Sequence, residues 1–150
     1  MTDEQLIHGM EIAAKRGAQY NIEVLNEELL PTLMILTDNN RIELAHIAAE
    51  RDEISTQLKE TLISKQAKAY VLIVEGWASA FVENLKKYDR VRDMPPDDRY
   101  EVTNITLVKQ NDATTKFMQA RIDTQTDGRR TLREWETGTM KASRLHVTDW

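Results

Sequence analysis

Ala69-Tyr70-Val71-Leu72-Ile73-Val74-Glu75-Gly76-Trp77 decides the fold. Its first six residues are apolar at every position, so neither face of an extended chain would be polar. That pattern marks a central strand buried on both sides. Upstream, from Ala48, the chain is densely charged, with Ile54, Leu58 and Leu62 on one stripe and Arg51, Asp52, Lys59 and Glu60 mostly off it. The spacing predicts a surface helix covering a sheet. Before that, Leu33–Leu36 and Ile42, Leu44 and Ala45 flank Thr37-Asp38-Asn39-Asn40-Arg41, where Asp and Asn bond their own backbone and accept left-handed conformations. This predicts a β-hairpin with a loop of four or five residues. Strand, covering helix and strand in that order suggest one parallel, right-handed crossover.

The N-terminal third opens with Thr2-x-x-Gln5, the spacing of a capping box. Leu6, Met10, Ala13, Ala14, Tyr20, Val24 and Leu25 follow at helical intervals. Gly9 and Gly17 lie within this helix and each weakens it, so a kink or break is expected near Gly17. Pro31 sets its latest end, because the residue before a proline avoids the helical region. Beyond Trp77, Asp89–Asp98 is a loop rich in Asp, Arg and Pro. Glu101–Val108, Thr115–Thr124 and Arg129–Trp135 then alternate between Asn111-Asp112 and Asp127-Gly128 turn signals, predicting an antiparallel meander. Residues 137–150 show little periodicity and are expected to be a loosely held tail, in which Leu145, Val147 and Trp150 could dock on a partner. The expected architecture is α+β: one domain over residues 1–136, with its first 30 residues a helical segment packed on one mixed sheet of about six strands.

Composition narrows the chemistry. The chain has 150 residues, no cysteine, 41% hydrophobic and 30% charged residues, and a formal net charge of -5. Those proportions fit one globular domain and exclude collagen, coiled coil and wholesale disorder. Without cysteine, disulfide frameworks, zinc ribbons and thiol catalysis drop out together. No apolar run approaches the ~20 residues of a membrane span, and Met1-Thr2-Asp3-Glu4 is acidic where a signal peptide is basic. A cytoplasmic protein with no membrane partner and no cofactor is the expectation.

Carboxylates and arginines are what remains. Glu75 follows the apolar run, in the position where open parallel sheets bind ligands, and Gly76 allows close backbone approach. Asp97 and Asp98, with Arg99, could complete a site there, since paired carboxylates share protons or hold divalent cations. The structural reading is favoured for each: Trp77 as a core anchor, Glu75 as a partner for Arg90, Arg92 or Arg99, and Asp97 and Asp98 as stiffeners of a loop. His8, His46 and His146 have no ligand spacing, so no metal site is expected. Asp38-Asn39-Asn40 lacks the glycine and glutamate of a calcium loop. Gly-x-Ser-x-Gly and the phosphate-cradling glycine motifs are absent. Arg129, Arg130 and Arg133 crowd one hairpin and would suit nucleic acid, but the net charge opposes it and charges also protect strand edges. Trp135, Trp150 and Phe117 are candidate interface aromatics.

Taken in order, Pro31–Ile35, Asp38–Ile42, Ala69–Trp77, Pro96–Val102, Asp127-Gly128 and Arg133-Glu134-Trp135-Glu136 resemble a widespread group of small bacterial proteins. In that group a proline opens a hairpin, a charged helix and an apolar strand ending Glu-x-Trp follow, and a meander closes with Gly-Glu-Trp-Glu. Gly76 within the Glu-x-Trp and Arg133 in place of the usual glycine depart from the pattern. The resemblance implies the order of elements and no activity. The expectation is therefore a non-enzymatic interaction or accessory module of a bacterium, phage or plasmid, with itself or another protein as partner. A small hydrolase or ligand-binding domain built on Glu75, Asp97, Asp98 and Arg99 is the alternative, and nucleic-acid binding the third reading.

Overall fold

The computed structural model describes residues 1–47, 53–79, 93–112, 114–141, 147, 149 and 150. The chain is α+β. Helix α1 (Asp3–Gln19) continues into a π-helical turn (Tyr20–Val24) and is followed by β1 (Thr32–Thr37), β2 (Ile42–His46), α2 (Ile54–Ser64) and β3 (Ala67–Ser79). A 3-10 turn (Pro96–Asp98), β4 (Arg99–Lys109), β5 (Thr114–Thr124), β6 (Arg130–Leu132) and β7 (Glu136–Lys141) complete it. The sheet order is β2-β1-β3-β4-β5-β6, with β7 also on β5.

The apolar run lies where its composition demands, with β1 on one side of β3 and β4 on the other. Its two faces feed two cores. Ala69, Val71 and Ile73 join Met34, Leu36, Ile105, Leu107 and Met118 beneath Met10, Ala14 and Ala18 of α1. Tyr70 and Leu72 join Leu33, Ile35, Ala67 and Val108 beneath Leu58 and Leu62 of α2. Ala67 and Ala69 contribute to different cores because the register of β3 against β1 slips between Leu36 and Thr37, placing Ala69 opposite Leu36 and Ala67 opposite Thr37. The additional residue, Lys68, is a bulge, and a bulge reverses the alternation beyond it.

Every pairing in the sheet is antiparallel, so the expected mixed sheet is corrected. β2 and β3 do run in the same direction across α2, but β1 is inserted between them. Two-sided burial, the feature that suggested a parallel pairing, arises here from a helix on each face of an antiparallel sheet. The hairpins behave as expected: Asn40 at φ 61°, Asn111 at φ 59° and Gly128 at φ 88° supply the left-handed backbone of the three turns. The segments 48–52 and 80–92, which include Arg90 and Arg92 of the Asp89–Asp98 loop, fall outside the described residues.

At the N-terminus the capping box forms: the Gln5 amide donates to Thr2 Oγ1 at 3.2 Å and the Thr2 amide to Gln5 Oε1 at 2.9 Å. The helix passes Gly17 unbroken and changes to π geometry at Tyr20 instead. Its buried side is Met10, Ala14, Ala18 and Ile22, whereas Tyr20, Val24 and Leu25 are exposed. A strict four-residue repeat drifts around an α-helix of ~3.6 residues per turn. The wider π turn, bonded i to i+5, offsets that drift and returns Ile22 to the sheet.

Within the polar C-terminal stretch, residues 137–141, 147 and 150 take defined places in the fold. Glu136–Lys141 pairs with β5, so that β6 and β7 share one edge of that strand. Val147 is buried in the α2-side core and Trp150 packs against it. The Tyr70 hydroxyl donates to the Val147 carbonyl at 2.9 Å and accepts from the Val147 amide at 3.0 Å. Burial pushes the Tyr70 pKa up to about 12, with the Val147 hydrogen bond opposing only part of the rise.

An unfolded tyrosine titrates near ~10, so Tyr70 contributes stability that is complete below that pH and lost as pH climbs through its folded value. Chemical denaturation of the native chain should show this alkaline decline, and Tyr70→Phe should show less of it. At neutral pH the same substitution should cost about 1–3 kcal/mol, because both Val147 backbone groups lose their partner in a buried setting.

Candidate functional site

Glu75 sits on β3 beyond Ile73, on the face that α1 covers, and continues into four more residues of strand. Its carboxylate is not open to solvent chemistry. Glu75 Oε1 accepts from the Leu29 amide at 2.9 Å, and Arg130 Nη1 reaches both carboxylate oxygens at 3.3 and 3.4 Å. The two side chains are only 12% and 13% exposed. Arg130 Nη1 also lies 3.7 Å from Glu101, Nε donates to Asn26 Oδ1 at 3.3 Å, and Nη2 donates to the Glu27 carbonyl. Asn26, at φ 51°, donates from Nδ2 to the Gly128 carbonyl at 3.1 Å. Residues 26–31 thus form a strap that leaves the π turn near β6, crosses above β3 and enters β1. Glu75 and Arg130 hold it down. Glu75 was expected beside Arg90, Arg92 or Arg99, of which Arg90 and Arg92 lie outside the described residues. Its observed partner is an arginine 55 residues away.

Asp97 and Asp98 occupy the 3-10 turn at the start of β4. The register sets Ser79 against Arg99 but Glu75 against Thr103. At about 3.3 Å per residue the backbones of Glu75 and Arg99 are separated by roughly 13 Å along the strands. The three carboxylates therefore do not converge. Arg99 stacks on the Trp77 ring, 4.2 Å from its centroid. Trp77 is 38% exposed, so it belongs to the surface of the hairpin and not to the core.

The three arginines also diverge. Arg130 points into the strap, and Arg133 forms a two-pronged pair with Asp123 at 2.6 and 3.0 Å. The hydrogen bond from Arg133, which outweighs desolvation, together with the charges of Arg133 and Arg121, holds the Asp123 carboxyl below its usual range. Arg129 lies exposed on the turn, its amide bonded to Asp127 Oδ1. No basic strip for a phosphate backbone results. Trp135 packs on the α1-side core. Trp150 packs on the α2-side core, its ring centroid 5.5 Å from that of Tyr70 and its indole N–H donating to the Ala67 carbonyl at 2.7 Å. Phe117 is half-buried. Among the described residues no group of three His, Asp or Glu side chains is placed to hold a metal ion. His146 falls outside them. Among the described residues no helix is long and apolar enough to cross a membrane.

Exposed apolar side chains occur on the π turn and strap, at Tyr20, Val24, Leu25 and Leu30, and on β2. Ile42 is 42% exposed and Leu44 70%. By register they oppose Leu36 and Met34 and lie on the α1 side of the sheet, which α1 leaves uncovered there. Among the described residues no strand pairs with the outer side of β2. The Thr37 amide bonds the Arg41 carbonyl at 2.8 Å and the Ile47 amide bonds the Pro31 carbonyl at 3.1 Å. Odd-numbered residues of this strand therefore face β1, and the antiparallel alternation turns the amides and carbonyls of Ile42, Leu44 and His46 outward. Sequence alternation showed the strand; only the strand order shows that it is an edge.

A second concave feature lies between the flank of α1 and the strands β4, β5 and β7, with a volume of about 680 Å³. Glu11 on α1 lines it, bonded to Lys116 of β5 and 3.4 Å from Lys15. Desolvation raises the Glu11 pKa, but the hydrogen bonds and charges of Lys116 and Lys15 outweigh it and leave the group below its ordinary value. No protein-family model, characterised protein or solved structure matches the chain.

Removing one member of the Glu75–Arg130 pair should leave a nearly buried charge without its counterion. Glu75→Leu or Arg130→Met alone should lower unfolding free energy by about 3 kcal/mol, and the double variant should recover only part of it, because the Leu29 amide and Glu27 carbonyl then lose their partners. Guanidinium titration of the three variants measures both.

Proposed function

We propose that the protein is a non-enzymatic interaction module that self-associates by antiparallel pairing of two β2 strands across a two-fold axis. The observation that carries this reading is the coincidence, on one strand, of outward backbone groups with the exposed side chains of Ile42 and Leu44. An unblocked edge of this type is a template for another strand. Natural monomers protect such edges with lysines, prolines or a covering element. At the opposite end of the sheet the outer side of β5 is covered by β6 and β7. β2 carries neither lysine nor proline.

The strand is also compatible with itself. Centred on Leu44, a two-fold register places Leu44 against its own copy, Ile42 against His46, and Glu43 against Ala45. No like charges face each other directly, which would be destabilising. A two-fold contact uses the same patch on both copies, so a strand that complements itself suffices. The Lys65 ammonium, 3.5 Å from Glu43, remains on the other face of the strand, beside α2. A catalytic reading has less support, because the carboxylates assembled on the sheet are engaged in holding the strap.

Sedimentation of the native chain should give a dimer. Leu44→Lys should give a folded monomer, since an exposed side chain contributes within about 0.5 kcal/mol to stability. Leu44→Pro is the sharper variant. It removes an amide directed away from β1, so the internal ladder survives while the edge is blocked. A native chain that stays strictly monomeric at high concentration, or a Leu44→Pro chain that still dimerises, would overturn the proposal.

A further inference from the structure

We propose that the cleft beside α1 binds a small organic anion with an apolar body, its charged end on Lys116. The cleft, at about 680 Å³, is within the range of small-molecule sites, roughly 300–1,000 Å³. Its wall is one face of α1, where Glu4, Ile7, His8 and Glu11 recur at helical spacing. Its floor comes from three strands, through Leu107 of β4, Lys116 of β5 and Thr137 of β7. Leu107 and Lys116 are register partners, and Thr137 stands opposite Met118 on the same face of the sheet. Two features are brought together: apolar surface from Ile7 and Leu107, and a lysine ammonium at its end.

Lys116 is built for this role by Glu11. The carboxylate is buried on α1 and is gripped from the other side by Lys15, so it holds the ammonium in place over the floor. An ammonium has three donors and Glu11 takes one of them. The Lys116 side chain remains 42% exposed, so its other donors are accessible to a ligand. Such charge-assisted bonds are about twice as strong as neutral ones. With Lys15, which grips Glu11, the three carboxylates Glu4, Glu11 and Asp112 are matched by Lys15, Lys109 and Lys116, so the preference for an anion rests on the open donors of Lys116 and not on net charge. The Thr137 hydroxyl supplies a neutral donor on the floor. The resulting arrangement, apolar body first and cation at the end, fits an aliphatic or aromatic carboxylate better than a bare inorganic ion.

Isothermal titration calorimetry and amide chemical-shift mapping of the whole chain with octanoate test this, with octanol and inorganic phosphate as comparison probes. Saturable one-to-one binding of octanoate, with shifts at Ile7, Lys116 and Thr137, is expected. Octanol and phosphate should bind at least tenfold more weakly. Lys116→Met should reduce octanoate affinity at least tenfold. Thr137→Phe, a change at an exposed residue that leaves the ion pairs intact, should block the floor and abolish binding. Absence of saturation at millimolar octanoate, unchanged affinity in Lys116→Met or Thr137→Phe, or phosphate binding as tightly as octanoate would each overturn the proposal. These readouts are independent of oligomeric state.

Discussion

The ion pair between Glu75 and Arg130 determines where the N-terminal helix can end and where the first strand can begin. After the π turn the chain is beside β6, yet β1 lies across β5, β4 and β3. The strap that makes this crossing has backbone groups to satisfy and no ladder of its own. Arg130 takes the Glu27 carbonyl, Glu75 takes the Leu29 amide, and Glu23 takes the Leu132 amide at 2.9 Å. Buried charge is costly, and a pair of this kind repays the cost only when its remaining donors and acceptors are used. Here they are used on the strap. The pair thereby converts an expensive pairing of charges into a specification of chain path.

That path places α1 diagonally over β1, β3 and β4 and leaves two parts of the same sheet face uncovered. One is β2, beyond the helix on one side; the other is the β5–β7 side, where the cleft forms. Neither is accidental to the sequence. α1 is long and its buried stripe is narrow and rich in small residues, Ala14 and Ala18 among them. Small residues let a helix settle close to the sheet, but they cannot shield strands on either flank. The opposite face differs, because Leu58 and Leu62 of α2, Tyr70, Val147 and Trp150 close it with larger groups.

Much of this architecture was legible where a local rule had no competitor. The capping box, the Asp/Asn hairpin turn and the Asp-Gly turn all require specific side chains at specific backbone positions, and each formed. The β3 run was legible as a doubly buried strand, but a doubly buried strand reads identically whether its neighbours are parallel or antiparallel. Strand order was the missing quantity, and no residue in β2 announces that β1 will be inserted beside β3. Arg130 illustrates the same limit for the candidate site. In sequence it is one of a basic cluster on a hairpin; its inward direction follows from pairing with Thr124 and from a strap arriving from residues 26–31. The strand Glu136–Lys141 was hidden because its edge position demands polar residues, and a polar sequence such as Glu-Thr-Gly-Thr resembles a tail.

The two uncovered regions also bear on each other through the width of the sheet. β2 and β5 are separated by three intervening strands, so at about 4.8 Å per strand spacing their axes are nearly 20 Å apart. Twist increases their divergence, since successive strands rotate by roughly 20–25°. Pairing two copies through β2 would therefore extend the sheet at one end and leave each cleft at an outer end, facing solvent and not the partner. Such an assembly would present two identical, separated clefts on one continuous antiparallel sheet. Ligand entry and strand pairing would then be energetically separable, because the groups that would take the anion belong to α1, β4, β5 and β7, while those that pair belong to β2 alone.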